Sequence, residues 1–239
     1  MSNLNIAVIG ASGGIGSALV RSYSAEPTNT VHALSRSTIE NSAKNVQAGS
    51  IDFADEASIE AAAESSACQA PLDIVVVASG FLHNERMKPE KALRDVKAAN
   101  FERNFFVNTI GPALVAKYFL PKLHRSRRAV FASLSARVGS IEDNQLGGWY
   151  AYRASKAALN MLLKTASIEM ARKNKQAIVI GLHPGTVATA LSEPFRSRVP
   201  SEKLFATDRA ARQLIDVMNA RDPVDSGKVF AWDGAEIPY

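Results

Sequence analysis

Cysteine is almost missing from this chain: Cys68 is the only one among 239 residues. An internal disulfide is excluded, as are cysteine zinc clusters, and such economy suits a reducing cytoplasmic setting. The four histidines, 32, 83, 124 and 183, are scattered without metal-ligand spacing, so no metal site is expected. Long apolar runs are absent too. The longest purely aliphatic stretch, residues 74–78, is far short of the ~20 residues that cross a bilayer. Met1-Ser2-Asn3-Leu4-Asn5 has no basic segment leading into an apolar core, so no secretion signal is expected there. Charge of one sign is only mildly in excess, at +5. Much of that excess sits in Lys122, Arg125, Arg127, Arg128 and in Arg172, Lys173, Lys175, which read as two solvated helix ends. Without interleaved aromatics or a binding motif, nucleic acid is not the expected partner. A small anionic ligand makes better use of the field. Repeats and low-complexity tracts are also lacking. An apolar content of 46% with 21% charged residues excludes disorder for most of the chain, and the length suits one domain over residues 1–239.

What remains is an alternation of short apolar runs and longer amphipathic ones. Strands are expected over residues 4–9, 30–34, 72–78, 129–132, 177–182 and 228–231. Helices are expected over 14–24, 56–67, 101–120, 149–173 and 206–219. Gly111-Pro112 should bend or reset the third of these helices, and residues 189–203 read as a loop or short helix over the sheet edge. The run Leu72-Asp73-Ile74-Val75-Val76-Val77-Ala78 implies burial on both faces. The pattern predicts an α/β fold, a Rossmann-type doubly wound parallel sheet with helices on both faces.

The first strand runs into Gly10-Ala11-Ser12-Gly13-Gly14-Ile15-Gly16. A turn that approaches a pyrophosphate needs residues without Cβ, then a helix N-terminus whose free N–H groups face the anion. Glycines 10, 14 and 16 meet that need in a variant of the dinucleotide fingerprint; a tight turn with no ligand is the plainer reading. At the end of the second strand, where a carboxylate would accept from the 2′-hydroxyl of NAD, stand Ser35 and Arg36. A guanidinium there pairs with a 2′-phosphate, which favours NADP(H) over NAD(H). Read plainly, Arg36 is a surface arginine.

Tyr152 and Lys156 are four residues apart and share a helix face. A neighbouring ammonium stabilises phenolate and should lower the tyrosine pKa from ~10. Such a tyrosine can give a proton to the alkoxide formed when hydride reaches a carbonyl. Tyr118 and Lys122 have the same spacing, but Pro121 intervenes and they read as a helix end. Ser135, after the preceding strand, could meet the substrate oxygen, and Ser133 competes with it.

Taken in order, Gly10-x-x-x-Gly14-x-Gly16, Asn108, Ser135, Tyr152-x-x-x-Lys156 and Pro184-Gly185 resemble the short-chain dehydrogenases/reductases over essentially the whole chain. Leu134 to Ile141, Gly147 to Asn160 and Leu182 to Thr189 look like the bacterial C-factor-like branch, and carbonyl reductases of the sniffer type are similar. The resemblance implies that Tyr152 is general acid in reduction and base in oxidation. Lys156 would tune it and hold the nicotinamide ribose, Ser135 would orient the carbonyl, and Asn108 would hold a water serving Lys156. Read alone, Asn108 is equally a buried amide. Among cofactor contacts it implies the turn residues Ser12, Gly13 and Ile15, with Asp52 and Phe53 flanking adenine. It also implies Ala78, Ser79 and Gly80 near the adenosine ribose, and Pro184, Gly185, Val187 and Thr189 bordering the nicotinamide. Ile9 departs from the threonine that usually opens the turn, and Val77-Ala78-Ser79-Gly80 stands where Asn-Asn-Ala-Gly is common.

The expected function is an NADP(H)-dependent oxidoreductase acting on a small carbonyl or alcohol. The alternative from another class is an NADP-binding signalling or redox-sensing protein with little turnover. Asn84, Trp149, Leu191 and Phe195 could line the substrate space or simply pack. Pairing with a second copy would use apolar faces of the helices holding Asn108 and Tyr152.

Overall fold

The computed structural model describes every residue except 1–2, 38, 40–42 and 199, and only the backbone of 197, 198 and 201. Its centre is an eight-stranded sheet. In chain order the elements are β1 (Asn5–Ile9), α1 (Gly14–Ser24), β2 (Thr30–Ser35), β3 (Val46–Ser50), α2 (Glu56–Ala67) and β4 (Ile74–Val77). They continue with α3 (Ala98–Phe105), α4 (Gly111–Phe119), β5 (Ala129–Leu134), α5 (Tyr150–Lys173) and β6 (Ala177–His183). The remainder are β7 (Thr186–Val187), β8 (Leu204–Phe205), α6 (Thr207–Asn219), β9 (Val229–Ala231) and β10 (Glu236–Ile237). The strand order is β10-β9-β6-β5-β4-β1-β2-β3, all parallel except the β9–β10 pair.

Each central strand is apolar on both faces, and alternate residues serve opposite layers. Ile6, Val8, Ile74, Val76, Val130 and Ile178 pack with Leu19 and Tyr23 of α1 and Leu214 and Met218 of α6. Ala7, Ile9, Val75, Val77, Phe131 and Val179 pack with Ile59 of α2, Phe119 of α4 and Leu159 and Leu163 of α5. The doubly wound expectation holds. Strand order reverses between β1 and β4, and in such sheets the crevice outside the carboxyl ends of the strands forms there.

Several boundaries differ from the sequence reading for physical reasons. β3 was not expected: it is an edge strand with mostly exposed side chains, so it carries no apolar signal. The strand expected over residues 228–231 is β9, whereas β7, β8 and β10, two residues each, are too short to show a period. The strand expected over residues 72–78 is shorter, and Leu72 bridges Leu123 beyond it. Asp55 starts α2 by accepting the N–H groups of Ala57 and Ser58 at 3.1 and 3.4 Å.

The helix expected over 101–120 is two helices joined by a π turn, Phe106–Ile110. The N–H of Gly111 bonds the Phe106 carbonyl, five residues back. Pro112 has no N–H to offer the Asn108 carbonyl, and a Cβ on Gly111 would enter the Phe53 ring. Residues 189–203 include 3₁₀ turns at Glu193–Arg198 and Ser201–Lys203. Among the described residues no helix is long and apolar enough to cross a membrane.

Candidate active site

A cleft of about 670 Å³ opens over the β1–β4 switch point. The chain reaches it first through the glycine turn. Gly10 is left-handed at φ +83°, and a Cβ there would lie 2.7 Å from Ser79 Oγ. A Cβ on Gly16 would run into the Gly10 carbonyl oxygen. These two glycines thus let the turn close on β4 and on itself. A Cβ on Gly14 would meet the Thr189 methyl at 2.8 Å, so this glycine admits the segment lying across the cleft. Gly13 precedes α1 with no side-chain cap, and the first turn carries no acidic residue. The uncapped N–H groups and the positive helix end therefore remain available for an anion.

Most of the sequence-predicted residues converge on this cleft. Gly10, Ser12, Gly13, Gly14, Ile15, Ser35, Arg36, Asp52, Phe53, Ala78, Ser79 and Gly80 line it along the β1, β2 and β4 ends. Ser135, Tyr152, Lys156, Pro184 and Thr189 line it on the other side. Gly16, Asn108, Gly185 and Val187 do not reach its surface. Gly16 serves the inside of the turn, and Gly185, at φ +74°, leaves room for Phe205 and Trp232. Val187 is buried in the β7–β8 pair. Among the serines, Ser135 lines the cleft and Ser133 lies within β5, 1% exposed and away from it.

Asn108 is fully buried. Its Oδ1 accepts the Phe81 N–H at 2.8 Å, and its Nδ2 faces the Phe81 carbonyl, Asn104 Oδ1 and Ser155 Oγ at 2.8, 3.2 and 3.0 Å. The amide clamps the residue after Gly80 to α5.

Tyr152 and Lys156 sit one helical turn apart on α5, 8% and 3% exposed. Lys156 Nζ lies 5.9 Å from the Tyr152 ring centre and donates to the Leu134 carbonyl at 2.7 Å. Burial acts oppositely on the two groups. It pushes the Tyr152 phenol up to about 12 and pulls the Lys156 ammonium down to about 7. The expectation that Lys156 lowers the phenol is thus reversed, because desolvation disfavours the charged form of both. Lys156 is accordingly able to take up and release protons near neutrality. The other pair of equal spacing is tied elsewhere: Tyr118 donates to Glu56 and Lys122 pairs with Glu64 on the surface.

Ser135 Oγ donates to Asn160 Oδ1 at 2.6 Å. Asn160 was not singled out from the sequence. It lies at i+8 from Tyr152 and i+4 from Lys156, so helical spacing would have placed it on the same face. Arg103 was also missed; it lines the cleft with its guanidinium 5.4 Å from the Phe81 ring centre. Above Tyr152 lies an apolar cluster. Leu82, Ala136 and Tyr152 pack with Val138, Trp149, Leu191 and Phe195. Trp149 stands 4.8 Å from Phe195 and 6.2 Å from Tyr152, ring centre to ring centre. Asn84 turns away and accepts the N–H groups of Arg86 and Met87. His183, beside Pro184, is held neutral at about 4, by burial first and then by the Arg137 charge. Among the described residues no three His, Cys, Asp or Glu side chains gather as a metal site.

Residues 4–200 match the short chain dehydrogenase family. The chain is 32% identical to the C-signal protein of Myxococcus xanthus over 175 residues, covering 73% of this chain and 97% of that one. It is 27% identical to an uncharacterised oxidoreductase of Schizosaccharomyces pombe over 97% of this chain and 96% of the other. Among solved structures, the NADPH-bound carbonyl reductase from chicken fatty liver superposes with a TM-score of 0.84 at 24% identity, covering all of both chains. The carbonyl reductase Sniffer of D. melanogaster superposes at 0.83 with 22% identity, over 99% of this chain and 100% of that one.

Proposed function

The chain belongs to the short-chain dehydrogenase family, and we propose that it is an NADP(H)-dependent reductase of small carbonyl compounds, or the matching alcohol dehydrogenase. One observation carries this reading: a phenol, a buried amine and a serine hydroxyl share a cleft with an uncapped helix end and Arg36. The cofactor fits the residues present. The N–H groups of Gly14 and Ile15 would hold the pyrophosphate, with Gly13 closing the turn through its N–H on the Gly10 carbonyl at 3.0 Å, and Arg36 with Ser35 the 2′-phosphate. Asp52 and Phe53 would flank adenine, Ala78 to Gly80 the adenosine ribose, and Lys156 the nicotinamide ribose. Pro184 and Thr189 would border the nicotinamide, with Gly185 and Val187 supporting them from behind. The chicken fatty liver carbonyl reductase that superposes on this chain holds NADPH, in agreement with this choice.

The nicotinamide supplies the hydride when bound. Tyr152 delivers the proton to the forming alkoxide, from a hydroxyl that burial keeps protonated. Ser135 would turn its one hydroxyl hydrogen from Asn160 Oδ1, where it rests at 2.6 Å, to the same oxygen. Lys156 replaces the proton of Tyr152, and Asn108 fixes the floor of the site through Phe81 and Ser155. The apolar wall of Leu82, Val138, Trp149 and Phe195 suits a hydrophobic substrate.

Tyr152→Phe tests the assignment. It should abolish NADPH consumption with aldehydes, ketones and quinones while leaving NADPH binding nearly intact; retained turnover would remove Tyr152 from its role. The likeness to C-signal favours a second reading, a dinucleotide-binding signalling protein. Tight NADP(H) binding with no turnover across the same substrate panel would select it. A cytoplasmic location is supported by Cys68, exposed and unbridged. Exposed Ile110, Met161 and Ile168, beside and on the helices of the site, supply the apolar surface for self-association.

A further inference from the structure

Among the described residues two carboxylates lie inside the protein, Asp73 at 3% and Glu90 at 2% exposure. Asp73 is accounted for by Arg127, whose Nε and a terminal nitrogen each reach it at 2.7 Å. Glu90 has no cation within ion-pair reach among the described residues. Burying such a charge is costly unless N–H donors take up its oxygens. Its donors indicate what it serves.

Glu90 Oε2 accepts the Ala151 N–H at 3.2 Å, and Oε1 accepts Asn100 Nδ2 at 2.8 Å. The Glu90 carbonyl accepts the Trp149 N–H at 2.5 Å. Trp149 and Ala151 flank the first residue of α5, the helix whose third residue is Tyr152. That helix has no side-chain cap of its own and no acid in its first turn. Glu90 supplies both from another segment, as an N-cap residue and a first-turn acid would.

The Glu90 carbonyl, through the Trp149 N–H, meets an unusual backbone. Gly147, Gly148 and Trp149 are all left-handed, at φ +61°, +65° and +51°. Trp149 is the one non-glycine residue in that region among those described. For a residue with a Cβ this conformation costs about 1–2 kcal/mol. It turns the indole onto Phe195 and the Tyr152 ring.

We propose that Glu90 is a positioning residue of the active site. Its carbonyl takes up the Trp149 N–H, and its carboxylate ties the first turn of α5 to Asn100, so the carboxylate fixes the phenol relative to the indole wall. This rests on the reading of Tyr152 as proton donor.

Glu90→Gln keeps the shape but makes one oxygen a donor: turned toward Ala151 it leaves the helix N–H without an acceptor, and turned toward Asn100 it makes that amide turn over and give up the Lys88 carbonyl. Adding Asn100→Asp restores an acceptor opposite the new amide N–H. In Glu90→Gln, kcat should fall about tenfold and KM for the carbonyl should rise, as expected when one bond is lost and the reacting groups drift. KM for NADPH should stay within about twofold, because all the proposed cofactor contacts except Lys156 lie on other elements. The double variant should recover most of kcat. A second readout does not need turnover. In a Trp232→Phe background Trp149 is the sole tryptophan, and its emission should move to longer wavelength in Glu90→Gln and return in the double variant. Unchanged kcat and emission in Glu90→Gln would overturn the proposal. So would a loss of kcat that only follows the folded fraction while emission stays put. If the wild-type chain reduces no carbonyl, the functional reading fails, and the emission series still decides the role of Glu90.

Discussion

Replacing Lys156 with methionine should stabilise the cofactor-free protein while abolishing turnover. The ammonium is 3% exposed and its proton affinity is lowered from 10.5 to about 7 by burial. At 1.36 kcal/mol per tenfold change in that affinity, keeping it charged costs the folded state about 4–5 kcal/mol. Methionine avoids that cost but forfeits the 2.7 Å bond to the Leu134 carbonyl. A lost bond of this kind, with a buried acceptor left unpaired, costs about 1–2 kcal/mol. The net gain is about 3 kcal/mol, or roughly 6–12 °C in Tm for a chain of this size. The sign depends on pH. Because the folded value lies below the unfolded one, the unfolded chain binds the proton more tightly, and protonation favours unfolding. The wild-type handicap is full below about pH 7, shrinks from there to pH 10.5, and is gone above it. Thermal melts from pH 6 to 10.5 should therefore show the variant clearly ahead at the acid end. By the alkaline end it should be level or slightly behind. A variant that melts below wild type at pH 6, or a difference that does not change with pH, would refute the reasoning.

Arg36→Ala should raise KM for NADPH about 10–100-fold, the worth of a charge-assisted bond, and leave KM for NADH nearly unchanged; equal effects in steady-state assays would reject 2′-phosphate recognition. Gly16→Ala should lower Tm by several degrees, because its Cβ meets the rigid Gly10 carbonyl and overpacking costs about 1–3 kcal/mol. Gly14→Ala meets only the Thr189 side chain and should be milder in the same melts.

The sheet was legible because its central strands are buried on both faces, so that Ile74 to Val77 shows no polar residue. The glycine turn and the Tyr152–Lys156 spacing were legible because each concentrates its chemistry within one turn. What escaped was held together over long sequence distances. Glu90 lies 61 residues from the Ala151 N–H it accepts. Nothing in the local run Lys88-Pro89-Glu90-Lys91 separates it from a surface acid. The direction of the Tyr152 shift escaped for a related reason, since spacing reports the neighbouring amine but not the depth at which both groups lie.

The π turn before α4 bears on how this chain can change. Each helical residue turns the chain by about 100°, so a five-residue closure inserts a phase offset between α3 on one side and α4 on the other. Deleting any one of residues 106–110 would relax the segment toward ordinary winding and swing Arg103 and Asn104 around the axis, away from the positions they hold relative to Phe81 and Asn108. Length here is fixed as strictly as any side chain. The paired glycines before Trp149, tied to Asn144 and Arg153, set how the indole reaches the phenol, so a change of length there would reshape what the enzyme admits.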